Sequence, residues 1–174
     1  WDNERGFGRF TRSLVEALAG RRTGFRYTLI FDRTPERPVP AGVATVVAGA
    51  KRTMAEASSG KGARAGADML TLSRAAAGLG ADLLFWPASY SFYPVLSRVP
   101  KLVCIHDTIP ERFPDLIFPT RRNFRLWQVK SRLARMQARR ILTVSEASAR
   151  DIAGMLHVPR ERIDVTTEGA DATF

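Results

Sequence analysis

His106 and Asp107 stand directly after the apolar run Leu102–Ile105 and just ahead of Pro110 and Pro114. A short unbroken apolar run reads as a buried strand of a parallel sheet, covered on both faces. The prolines keep the residues after it out of a regular helix. Ligands of open α/β sheets bind just beyond the carboxyl ends of strands. An imidazole and a carboxylate at that position are therefore candidates for chemistry on a polar substrate. The plainer alternative is a hydrogen-bonded structural histidine.

Gly6-Phe7-Gly8-Arg9 is a second candidate. After it, Phe10, Leu14, Val15, Leu18 and Ala19 recur at helical spacing, and Gly20 stops the pattern. A glycine loop opening onto a helix N-terminus offers N–H groups and a positive dipole end to an anion. The same glycines also serve where a chain only needs a tight turn. Tyr90, Phe92 and Tyr93 form a third group, on the loop after Trp86 and Pro87. Such aromatics line a ligand cleft or pack a core.

Strands are expected at Arg26–Phe31, Val43–Val47, Asp82–Trp86, Arg140–Val144 and Arg162–Thr166. Asp68 is read as the cap of a helix over Met69–Leu79, and Ala48–Gly66 as the most flexible loop. A long helix covers about 120–139. Ser145 is an N-cap for a further helix to Leu156, with Ser148 in its first turn. Strands and helices alternate through the second half, the βαβ pattern of a doubly wound parallel sheet. No internal repeat or heptad run is present.

The 174 residues fit one domain, and the net charge of +10 rests mostly on Arg, since Lys occurs only at 51, 61, 101 and 130. That balance points to phosphate-bearing partners: a nucleotide, a nucleic acid or an anionic membrane surface. On the long helix Leu126, Val129, Leu133 and Met136 make one apolar stripe. Arg121, Arg125, Arg132, Arg135 and Arg139 share another face, and no acidic residue lies between Asp115 and Glu146. That basic face reads equally as solvated or as a docking surface for phosphates or a membrane. Cys104 is the only cysteine, so no intrachain disulfide forms and a reducing compartment is the simpler fit. Two histidines and one cysteine in separate elements suggest no metal set, and His157 reads as a favourable charge near a helix C-terminus. No signal peptide and no run of membrane-span length is seen.

Four stretches, in order, resemble the N-terminal domain of a retaining glycosyltransferase of the GT-B fold, in the group called glycosyl transferases group 1, or family 4. Gly6-Phe-Gly8-Arg-Phe10 resembles the family's Gly-Ile-Gly-Arg-Tyr loop. Lys101–Pro110 resembles its strand and His-Asp-x-x-Pro. Ala138–Ser148 resembles Ala-Asp-x-Val-Leu-Thr-Val-Ser-x-x-Ser. Val158–Val165 followed by Glu168-Gly-Ala-Asp171 resembles Val-Pro-x-Glu-x-Ile-x-Val and then Pro-Asn-Gly-Val-Asp, except that no Pro-Asn pair precedes Gly169.

The resemblance implies a Rossmann-like domain, the acceptor-side half of a two-domain enzyme, lacking its first strand. It makes the sequence a fragment, inactive alone, whose partner domain would hold most of the nucleotide-sugar site. The implied activity moves a sugar from a nucleotide-sugar to an acceptor hydroxyl, with retention, in bacterial polysaccharide or glycolipid synthesis. No metal or other cofactor is needed. Gly6, Phe7, Gly8 and Arg9 would bind the donor diphosphate, and His106 would meet the donor sugar. Asp107 would orient His106 or meet the acceptor. Ser145 and Glu146 would begin a helix pointing into the cleft, or serve only as a capping pair. Tyr90, Tyr93 and Arg112 would border a carbohydrate or lipid-linked acceptor. The helix at 120–139 would suit the anionic inner face of a membrane, with the protein cytoplasmic and peripheral there. Two alternatives stay open: a basic nucleic-acid-binding module, and a non-catalytic carbohydrate-binding relative. No nucleic-acid partner is expected on the first reading.

Overall fold

The computed structural model describes residues 1–4, 6–21, 23–49 and 66–169, and the chain divides into two compact units. Most of the expected loop Ala48–Gly66, and Asp171, lie outside the described residues. The first unit comprises Trp1–Ala81 with Val95–Ser97, and the second Asp82–Pro94 with Arg98–Phe174.

In the first unit helix α1 (Gly6–Ala19) precedes two parallel strands, β1 (Thr28–Phe31) and β2 (Ala44–Val47), and helix α2 (Gly66–Gly78). The expected glycine loop is thus the first turn of α1, four residues earlier than the apolar spacing suggested. Gly8 makes that early start possible. A Cβ there would lie 1.8 Å from the carbonyl oxygen of Asn3, so the incoming chain can cross the helix only over a glycine. Arg12 donates to the carbonyls of Trp1 and Asn3, the latter at 3.0 Å. Asp2 accepts from the backbone N–H of Arg37 at 3.0 Å. These contacts tie residues 1–4 to the body of the unit. Asp68 is not a cap but lies inside the first turn of α2, buried.

The second unit holds four parallel strands in the order β3 (Leu84–Trp86), β4 (Lys101–Cys104), β5 (Arg140–Thr143) and β6 (Ile163–Val165). Register pairs Trp86 with Val103, Val103 with Ile141, and Ile141 with Ile163. Val103 and Ile141 are completely buried, as the apolar runs require. This is the parallel α/β, Rossmann-like arrangement expected. The β4–β5 crossover carries α3 (Ile109–Arg112), α4 (Pro114–Ile117) and α5 (Arg121–Gln137), and the β5–β6 crossover carries α6 (Glu146–Leu156).

Two expectations change here. Pro110 and Pro114 do not keep their segment free of helix; each sits at the start of a one-turn helix. At that position the missing N–H would have had no intrahelical partner, and the fixed φ suits the turn. The second change is in α5. An apolar stripe is ordinarily the face a helix buries. Here the buried positions are Trp127, Ser131 and Ala134, while Leu126, Val129 and Met136 are exposed. Small side chains on the inner face let the helix backbone approach the sheet closely. The Trp127 indole N–H reaches Glu111 Oε1 at 2.8 Å, which fixes that face inward.

Candidate active site

All four strands of the second unit run in one direction, so their carboxyl ends share one edge. Pro87 follows β3, His106 follows β4, Ser145 follows β5, and Glu168 lies three residues beyond β6. The edge joins three of them. His106 Nε2 lies 2.9 Å from the Pro87 carbonyl oxygen, and Nδ1 lies 3.4 Å from Glu168 Oε1. A carbonyl and a carboxylate both only accept, so Nε2 donates to Pro87, and Nδ1 engages Glu168 when it too carries a hydrogen. The imidazole is mostly buried, whereas Glu168 is half-exposed. Glu168 also acts on Cys104, whose thiol is pushed up to about 12, first by burial and then by this carboxylate. That cysteine stays a thiol and is a packing residue.

Asp107 has a local task. Its Oδ1 accepts from the backbone N–H of Ile109 at 2.9 Å, which starts α3. Glu111 accepts from Trp127 Nε1 and from Ser131 Oγ at 3.3 Å. The Tyr90 ring stacks on Trp127 with centroids 4.8 Å apart. Burial raises the Tyr90 phenol well above its ordinary value, and the negative charges of Asp107 and Glu111 add to it.

Ser145 caps α6. Its hydroxyl accepts from Ser148 N–H at 3.1 Å. Such a cap contributes about 1 kcal/mol. Glu146 pairs with Arg160 at 3.0 Å on the surface. Arg112 pairs with Asp151 of α6 at 3.1 Å, both half-exposed, so the pair adds under about 1 kcal/mol. Among the described residues, no group of three or more His, Cys, Asp and Glu could share a metal ion. Gly6, Phe7, Gly8 and Arg9 belong to the first unit. There they form the first turn of α1, whose leading amides have no intrahelical acceptor.

The sequence model described as Glycosyltransferase Family 4 matches residues 5–174. The chain belongs to that family. It is therefore a glycosyltransferase domain, and sugar donors and acceptors are its substrates. No curated protein gives a significant match.

Within this family 4 domain the sequence reading located His106 and its strand but missed Glu168 as its neighbour. The signal was present as a departure, since Thr167-Glu168 stands where the resemblance has Pro-Asn. Tyr93, expected to border the acceptor, is 4% exposed and packs edge-on against Trp86 at 5.5 Å. Tyr90, three residues away, keeps partial exposure.

Proposed function

We propose that this family 4 domain is the acceptor-side part of a retaining glycosyltransferase. It serves transfer from a nucleotide-sugar to an acceptor hydroxyl, in polysaccharide or glycolipid synthesis. The observation that carries the reading is His106 at the end of β4, fixed by the Pro87 carbonyl and by Glu168. Transfer breaks the bond between the anomeric carbon and the diphosphate oxygen and forms one to the acceptor oxygen. The proton of the acceptor hydroxyl passes to an oxygen of the departing diphosphate. Negative charge grows on the departing diphosphate, and donors fixed in advance stabilise it.

In this proposal the amides of Gly6, Phe7, Gly8 and Arg9 serve the diphosphate, helped by the dipole of α1. His106 meets a sugar hydroxyl through its Nδ1 edge, in place of or beside Glu168. Asp107 shapes the loop that follows, through its bond to Ile109. Ser145 and Glu146 hold the start of α6. Tyr90 offers a partly exposed ring to the acceptor. Arg112 would need to leave Asp151 to bind an acceptor phosphate. The partner domain of the resemblance supplies the rest of the donor site. The protein then works on the cytoplasmic side, at the inner membrane face, on a carbohydrate or lipid-linked acceptor. The +10 charge supports that placement.

The test is a panel of nucleoside-diphosphate sugars offered to the complete protein. The expected result is release of nucleoside diphosphate from one or a few donors. The product glycoside keeps the donor's anomeric configuration by proton NMR. An inverted product, or binding of sugars without turnover of any donor, counts against the reading.

A further inference from the structure

We propose that the outward face of α5 is a docking surface for an anionic phospholipid bilayer. An apolar ridge would enter the membrane and flanking arginines would hold its phosphates. This deepens the placement at the inner membrane face made above but does not depend on sugar transfer. The ridge is Leu126, Val129 and Met136, exposed by 45%, 58% and 69%. Leu133 continues the same helical spacing. The inward face is occupied by Trp127, Ser131 and Ala134, about half a turn away.

A solvent-facing helix surface is normally polar. Three large apolar side chains facing out along one helix call for a partner. Charge identifies its chemistry. Arg122 lies among the ridge residues on the helical wheel, and Arg121, Arg125 and Arg132 run along its flank; these arginines are exposed. No carboxylate interrupts the sequence from Leu116 to Ser145. Hydrocarbon beside a single sign of charge, along a helix lying flat, is the pattern that sinks into the boundary of headgroups and acyl chains. Each arginine near an anionic leaflet adds to the attraction. Among the described residues no helix is long and apolar enough to cross a membrane, so the contact is one of lying on the surface.

The test uses the complete protein and flotation with vesicles of phosphatidylcholine alone, or with about 30% phosphatidylglycerol, at about 0.1 M salt. Wild type should float with the anionic vesicles and not with the neutral ones. Val129→Glu with Met136→Glu should weaken that binding about tenfold or more, and Arg125→Glu with Arg132→Glu should abolish the anionic preference. All four positions are exposed, so melting temperature should stay unchanged. A fluorophore on Met136→Cys should shift to the blue on anionic vesicles. Cys104 is 1% exposed and does not compete for the label.

Several outcomes would overturn the proposal. These are failure of wild type to float, binding of the Glu pair like wild type, and a probe at position 136 that reports only water. It would also fall if the ridge mediates a dimer that the Glu pair dissociates, or if duplex DNA binds as tightly as the vesicles. Donor turnover without vesicles is measured in parallel. Its loss in wild type would count against sugar transfer and leave the docking result standing.

Discussion

His106 and Glu168 face each other across 3.4 Å, imidazole Nδ1 to carboxylate Oε1, beyond the carboxyl ends of β4 and β6. With Pro87 on the other nitrogen, the ring is held from two sides by segments distant in sequence. If that hold orients His106 for sugar transfer, Glu168→Ala should lower kcat/KM about tenfold. The double variant with His106→Ala should then be no slower than His106→Ala alone. Multiplying losses would mean that the two residues act separately.

Gly6 and Gly8 separate structure from ligand binding. Gly8→Ala forces a Cβ to within 2.7 Å of the Asn3 carbonyl carbon and closer still to its oxygen, a clash with backbone. It should cost about 1–3 kcal/mol in chemical denaturation. Gly6 has no atom within 4 Å of a built Cβ, so Gly6→Ala should change stability by less than about 0.5 kcal/mol. If the first amide of α1 serves a diphosphate at close range, Gly6→Ala should still weaken nucleoside-diphosphate binding in calorimetry. Unchanged binding would remove Gly6 from the donor site.

The pairing of β5 with β6 carries a pH signature. Arg140 grips Asp164 through Nε at 2.7 Å and through Nη2, and that hydrogen bonding holds the carboxyl below its ordinary range. A depressed folded value gives stability that is present above the unfolded value, about 3.9 for Asp, and lost as pH falls through the folded one. Wild type should therefore melt above Asp164→Asn at neutral pH, and the two curves should converge in acid. A constant gap down to the acid limit would show that the pair contributes by packing alone.

The strand under His106 was legible because burial on both faces leaves an unbroken apolar run, and Ser145 was legible because a cap has few residue choices. Glu168 was not, since it lies in an aperiodic stretch where no spacing shows which strand end it will meet. Tyr90 and Tyr93 sit three apart on a loop, and nothing local decides which ring is buried. The inner face of α5 misled for a different reason. Hydrophobicity favours Leu126, Val129 and Met136, but close approach to the sheet favours Ser131 and Ala134, with the Trp127 indole tied to Glu111. The early start of α1 turned on Asn3 crossing Gly8, a contact that only coordinates show.

The sharpest test of His106 is sugar transfer by the complete protein carrying His106→Gln, beside wild type, on whichever donor the panel identifies. The expected result is a fall in kcat/KM of about a hundredfold, with melting temperature within about a degree of wild type. Transfer at the wild-type rate by a folded His106→Gln protein would contradict it.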